Sequence, residues 1–346
     1  MPKKNNEIIE FILHNIQDRS ADIARFSANN FNISIQAINR YLRNLVSENI
    51  LVAEGNTKSR KYSLVISKTY YSYDINTSLQ EHRVWNDDIE QYINNLPENV
   101  RKAWNYCFSE IFNNAIDHSD GTKVYVIVKR DALNTEIVIQ DNGIGIFKKI
   151  GDYLNLTDMR EVATEIAKGK FTTDRLRHTG EGLFFTSRIA DKFFIWSHRI
   201  SWIHYTKSAD WVFDENKEND WQGTSVSLTI ANDSDVIIKD VFDRYGNPNF
   251  NSTVIPVVLM DADGMGLVSR SQAKRLLARL ESFNIVFMDF KGVKSIGQAF
   301  ADEIFRVFKL SHPAVKVSEI NADKDVLDMI NRAKNKEFDA NTDRFL

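Results

Sequence analysis

Three motifs that follow one another along the middle of this chain restrict its fold and chemistry more than any other feature. They are Glu110-Ile111-Phe112-Asn113-Asn114-Ala115-Ile116-Asp117-His118, Asp141-Asn142-Gly143-Ile144-Gly145 and Thr179-Gly180-Glu181-Gly182-Leu183. The first ends a helical run, Glu98 to His118, whose buried stripe is Trp104, Phe108, Ile111 and Ala115. Spacings of three and four put Glu110, Asn114, Asp117 and His118 on a neighbouring face. The second closes a strand-like run, Glu136 to Gln140, paired with Val124 to Val128. The third precedes a helix over about Leu183 to Asp191.

Each motif supplies a different part of one chemistry. Asp141, at a strand end, can accept a hydrogen bond from an exocyclic amine, and Gly143 and Gly145 let a flat base approach the backbone. Asn114 offers a neutral oxygen to a hard divalent cation that bridges phosphates. Glu110, one helical turn earlier, is placed to orient or deprotonate an attacking water or hydroxyl. Gly180-Glu181-Gly182 exposes backbone amides to phosphates at a helix start. Taken singly these are a tight turn, a polar pair on a solvated helix and a flexible helix start. Taken in this order they describe a nucleotide site.

At 346 residues, 43% hydrophobic and 26% charged with net charge -3, the chain fits a folded protein of two or three domains. The single cysteine, Cys107, excludes an internal disulfide framework and a cysteine-based zinc site. No apolar run approaches the ~18 to 20 residues of a membrane span, and no signal-type stretch follows Met1-Pro2-Lys3-Lys4. The expected compartment is the cytoplasm, with no membrane partner.

Residues 1–66 read as three helices and a hairpin: Asn6 to Ile16, a helix begun at Ser20, and a third from Ser34 to about Asn49. Ile50 to Glu54, the turn Gly55-Asn56, the basic run Lys58-Ser59-Arg60-Lys61 and Tyr62 to Val65 follow. Gln36, Asn39, Arg40 and Arg43 lie opposite the apolar stripe of the third helix, able to reach base edges or phosphates. Residues 1–70 carry 10 Lys+Arg against 6 Asp+Glu, a net of +4. This part resembles winged helix-turn-helix regulators, which implies double-stranded DNA as partner, with Lys58, Arg60 and Lys61 on the wing. A protein-docking role is the alternative.

The central segments resemble the nucleotide-binding domain of the GHKL superfamily, named for gyrase, the ninety-kilodalton heat-shock chaperones, histidine kinases and MutL. Residues 67–84 read as a linker and 85–232 as this domain. Glu110 to His118 matches the N-box, Asp141 to Gly145 the G1 box, Thr179 to Leu183 the G2 box, and Gly223-Thr224 a final element. The resemblance implies ATP and Mg²⁺ as cofactors. Asn114 would bind Mg²⁺, Asp141 would contact adenine, and Glu110 would be the base. Gly180 and Gly182 would hold phosphates. It also implies a mixed sheet covered by helices on one face, with residues 147–179 as a mobile lid. A phosphoacceptor histidine on a dimerising hairpin is not found, nor is a lysine that would reach the γ-phosphate from a second domain.

A second linker is expected over 233–251, then alternating strands and helices over 252–346, a small α/β domain. Asp289-Phe290-Lys291-Gly292-Val293 and Phe300-Ala301-Asp302-Glu303 resemble a STAS-like module of the anti-sigma factor antagonist kind. Gln298 and Ala299 stand near where that family carries a phosphorylatable serine, and Ser295 comes a few residues early. Docking on the ATP domain or a partner is one role for it; oligomerisation, as in a homodimer, is the other. The expectation is an α/β multidomain, ATP-dependent regulator that binds DNA. Its rival is an anti-sigma-type serine/threonine kinase acting on a STAS-type partner or on Ser295.

Overall fold

Helical periodicity at the N-terminus becomes α1 (Pro2–Asn15), α2 (Ile23–Phe31) and α3 (Ile35–Ser47), followed by the antiparallel hairpin β1 (Leu51–Glu54) and β2 (Lys61–Leu64). The computed structural model describes residues 2–56, 60–169, 181–208, 210–215, 221–245, 252–261 and 266–342. Ser34 caps α3 as expected, its hydroxyl accepting from the Ala37 amide at 3.1 Å. Ser20 does not cap α2, which starts three residues later. Its carbonyl instead accepts from the Tyr62 amide of β2 at 3.0 Å, tying the helix entry to the hairpin. Ile12, Ile16, Ile38 and Leu42, all fully buried, centre a core separate from the rest of the molecule.

The stretch expected to be a linker is structured. Only Val65 and Ile66 separate β2 from β3 (Ser67–Asp74), which is the edge strand of a seven-stranded sheet. Its tyrosines hold it there. Tyr71 donates to the Asp88 carbonyl at 3.1 Å and bonds Tyr92 Oη at 2.8 Å, while Tyr73 donates to Asp88 Oδ2 at 2.8 Å. Asp88 lies in a helical segment that opens earlier than Trp85, with α4 (Glu81–Val84), and runs on through a π turn to Tyr92.

Next come α5 (Glu98–His118), β4 (Lys123–Arg130), β5 (Asn134–Asp141), α6 (Ile146–Leu154) and α7 (Met159–Lys168). Then follow α8 (Gly182–Ile189), β6 (Lys192–His198), β7 (Ile200–Tyr205), β8 (Asp210–Glu215) and β9 (Trp221–Ala231). Strand order is β3-β4-β5-β9-β6-β7-β8. Every pairing is antiparallel, which corrects the expected mixed sheet. Short turns join β4 to β5 and β6 to β7, and hairpins of that length can only pair strands antiparallel.

Burial alternates along β4, and the buried side carries the helices. α6 and α7 are part of this layer: Phe147, Val162, Ala163 and Ala167 are fully buried. The apolar residues of α6 and α7 are therefore packed into the core, with α7 against α6, α8 and β10, in place of the mobile lid expected over 147–168. The remainder of that reading, 170–179, lies outside the described residues.

The second expected linker also contains structure. α9 (Ile238–Tyr245) packs Phe242 edge-on against Phe185 at 4.5 Å and against Tyr106 at 5.4 Å. Gly246-Asn247-Pro248 lies outside the described residues.

Beyond it, β10 (Ser252–Pro256), β11 (Ile285–Asp289) and β12 (Lys316–Ile320) form a parallel sheet in that order. The crossovers are α10 (Arg270–Leu277) and, after β11, α11 (Gln298–Asp302), which continues through a π turn into α12 (Phe308–Ser311). α13 (Lys324–Thr342) follows β12. The apolar core of the central domain is continuous with that of this C-terminal unit.

α7 makes the junction. Thr253 Oγ1 donates to the Lys168 carbonyl at 2.7 Å, and Lys168 Nζ donates to the Ala278 carbonyl at 2.8 Å. Arg275 lies 3.0 Å from Glu161, and Arg279 lies 3.2 Å from Glu165.

Candidate functional site

α5 buries Val100, Ala103, Trp104, Cys107, Phe108 and Ile111 and leaves Glu110, Asn114 and His118 half-buried on its flank. Asp117 is exposed. The Glu110 flank faces the start of α8. A Cβ at Gly182 would overlap the Glu110 carboxylate, with Cδ only 3.0 Å away, so the absence of a side chain lets the two motifs meet. Burial, reinforced by Glu110 and Glu181, pushes the neighbouring Tyr106 phenol up, and burial raises the Cys107 thiol. Cys107 is thus a packing residue in its protonated form.

Asp141 ends β5 almost wholly buried. One oxygen, Oδ1, accepts the Gly143 amide at 2.9 Å and the Thr224 amide at 3.2 Å. Burial pushes its carboxyl above the ordinary carboxylate range, and these amides pull it back. The loop after it is held from both sides. Ser119, next after His118, accepts the Ile144 amide through its carbonyl at 2.9 Å. Thr224 Oγ1 accepts the Ile146 amide at 2.9 Å.

Two glycines of this loop are sterically required. A Cβ on Gly143 would lie 2.6 Å from the Ser119 carbonyl carbon. Gly145 has φ +85, and a Cβ there would meet the Gln222 carbonyl at 2.7 Å and His198 Nε2 at 2.8 Å. The end of α5, the Asp141 loop and the start of β9 are thereby brought into one place. Lys149 adds a clamp, donating to the His118 carbonyl and to Asp120, both at 2.7 Å.

Among the expected site residues, Thr179 and Gly180 lie outside the described residues; Leu183 is half-buried against the core. Sequence reasoning missed Ser119, Asn142 and His198. Asn142 Oδ1 accepts the Thr122 and Lys123 amides at 2.8 and 2.9 Å, closing the loop against the α5–β4 turn. Its signal was present, since Asn next to Asp at a turn favours side-chain-to-backbone bonds. His198, whose Nε2 bonds the Ile144 carbonyl at 3.0 Å, gave no local signal because a strand irregularity far along the chain delivers it.

This arrangement agrees with comparison against known families. Residues 91–234 match the family of histidine kinase-, DNA gyrase B- and HSP90-like ATPases. This segment is similar to GHKL-type ATPase domains. Such a domain implies nucleotide binding, usually with Mg²⁺. Residues 272–327 match the STAS-like domain of unknown function (DUF4325). No curated protein matches the chain. Among the described residues no helix is long and apolar enough to cross a membrane, and no group of three or more His, Cys, Asp or Glu could hold a metal ion.

On the N-terminal unit, Gln36, Arg40 and Arg43 are exposed along α3. Asn39 is half-buried and its carbonyl accepts from Arg43 Nε at 3.2 Å. Arg60 and Lys61 are exposed at the hairpin; Lys58 lies outside the described residues.

Proposed function

We propose that this protein is an ATP- and Mg²⁺-binding regulator in which the nucleotide state of the GHKL domain sets the disposition of a DNA-binding N-terminal unit and a STAS-like C-terminal unit. The observation that carries it is the buried Asp141 carboxylate at a strand end, held beside a loop whose glycines let it pack closely on the end of α5 and the start of β9. Asp141 holds the adenine amine, Asn114 helps hold the cation, and Glu110 orients a water or hydroxyl. Gly182, with Thr179, Gly180 and Leu183, lines the phosphates, and Asp117, His118 and Thr224 complete the surroundings. ATP with Mg²⁺ supplies the transferable γ-phosphate when bound.

α7 supports the coupling. It lies between the Asp141 loop and the α8 start and is gripped by the STAS-like unit through Arg275, Arg279 and Thr253. A ligand shifts such a junction only by binding its two arrangements unequally. Three helices followed by an antiparallel hairpin support the winged-helix reading of the N-terminal unit, and the exposed Gln36, Arg40, Arg43, Arg60 and Lys61 support duplex contact.

Titration calorimetry with Mg-ATP tests the reading. Wild type binds, and Asp141→Asn binds at least tenfold more weakly (about 1.4 kcal/mol); equal affinities would refute it. A second reading, a serine/threonine kinase, is favoured by the exposure of Ser295 on the loop before α11. Labelled ATP separates the outcomes: label on protein marks a kinase, free phosphate an ATPase, and neither a binding switch.

A further inference from the structure

The inner face of the seven-stranded sheet changes character in a single step. Two cross-strand rows, Ile137–Leu228–Phe193 and Ile139–Val226–Ile195, are apolar and buried. The next row toward the glycine loop is Asp141, Thr224 and Ser197. Ser197 pairs with Thr224 between β6 and β9, and the Thr224 amide donates to Asp141. Directly opposed residues on neighbouring strands share a face. One carboxylate and two hydroxyls therefore stand side by side where the apolar floor ends.

Two of the three are accounted for by protein partners: Asp141 by the Gly143 and Thr224 amides, and Thr224 Oγ1 by the Ile146 amide. Ser197 is 0% exposed, and its Oγ has no hydrogen-bond partner among the described residues. A hydroxyl buried without a partner destabilises a fold, and alanine at the same place would not. Ser197 also faces the loop, because a Cβ on Gly145 would collide with its Oγ.

We propose that Ser197 reads the purine: its Oγ hydrogen-bonds a ring nitrogen of the base, directly or through one water shared with Thr224. This rests on the nucleotide reading above and adds a residue that the sequence motifs do not contain. A hydroxyl both donates and accepts. Asp141 selects the amine, which a carboxylate can only accept from, and Ser197 adds affinity at the adjoining ring position. A bonded base would supply the partner that the Ser197 hydroxyl lacks among the described residues.

The test is Ser197→Ala in the full chain, read by two measurements that should move in opposite senses. Calorimetry should show Mg-ATP and Mg-ADP binding about tenfold more weakly, the effect of one lost hydrogen bond. Urea unfolding without nucleotide should show the variant as stable as wild type or more so. Unchanged affinity overturns the proposal. Weaker binding that comes with an equal loss of nucleotide-free stability also overturns it, because that is the signature of a structural role. Mg-tripolyphosphate, which lacks the base, should bind wild type and variant alike; a parallel loss there would overturn it too. Wild type that takes up no adenine nucleotide overturns the nucleotide reading itself, a result distinct from wild-type binding with an unaffected variant.

Discussion

Lys168 Nζ lies 2.6 Å from Glu165 Oε1, with both side chains more than nine-tenths buried at the end of α7 that meets the C-terminal unit. Burial holds the Lys168 ammonium below the ordinary lysine range, and Glu165 opposes that shift. Lys168→Ala leaves Glu165 with Arg279 alone and is expected to cost about 3–5 kcal/mol in urea unfolding, as for breaking other buried pairs. The linkage has a definite sign. Between the lowered folded value and the ordinary 10.5, the unfolded chain holds a proton that the folded one lacks, so stability gains with rising pH there. The gain is absent in Lys168→Met.

Gly223 and Gly182 should respond differently to alanine. A Cβ on Gly223 would sit 2.7 Å from the Asp141 carbonyl carbon, backbone against backbone, and no rotamer change relieves it. Gly223→Ala should lose several kcal/mol of stability, on the order of other overpacked or strained sites, and with it nucleotide binding. Gly182→Ala meets the end of the flexible Glu110 side chain, which can swing away. Its melting temperature should stay within a few degrees of wild type, roughly 1 kcal/mol or less. Thermal melts of both variants decide.

If Asp141 holds the base as proposed, its carboxyl should make Mg-ATP binding pH-dependent. Its folded value is raised by burial, so the folded protein takes up its proton at a higher pH than the ordinary 3.8. Protonation removes an acceptor, and Mg-ATP affinity should fall as pH drops through that raised value. Asp141→Asn should bind weakly and without that step. The same shift makes Asp141 a group whose ionisation opposes folding: from 3.8 up to its folded value, stability declines with pH.

If α7 couples the two units, reversing its ion pair should alter nucleotide affinity from a distance. Arg275→Glu places like charges at Glu161 and Asp158, which lie 3.0 and 3.8 Å from the arginine. A several-fold change in Mg-ATP dissociation constant is expected, about 1 kcal/mol of coupling. Adding Glu161→Arg should restore it in part. Unaltered affinity in Arg275→Glu would remove α7 from the path.

Arg40→Ala with Arg43→Ala should weaken duplex binding and shallow its dependence on salt by about two phosphate contacts. Fluorescence anisotropy over a salt series measures both. Equal binding by wild type and variant would leave the N-terminal unit as a protein-docking module.

Much of the central domain was legible because its motifs are local. Asp141 and Gly145 share one loop, and Glu110 and Asn114 share one helical face. What escaped the sequence depended on distant partners. Polar, tyrosine-rich Ser67–Asp74 looks like a connector until Asp88 and Tyr92 supply acceptors for its hydroxyls. α7 looks solvated because Glu161, Glu165 and Lys168 are charged, yet Glu161 and Glu165 meet Arg275 and Arg279 more than a hundred positions later, and Lys168 bonds the equally distant Ala278 carbonyl. Ser197 is one more serine in a strand until its register with Thr224 is known.

β5 touches two worlds. Leu133, the residue before it, packs on the core of the N-terminal helices, while its last residue is Asp141. At roughly 3.4 Å per residue this is a strut of about 25 Å, braced by neighbouring strands along most of its length. With only Val65 and Ile66 leading from the hairpin into the edge strand β3, two strands across, the N-terminal unit has little slack in which to wander. A tilt of the sheet at the aspartate would swing α3 through an arc, as a rudder follows its tiller.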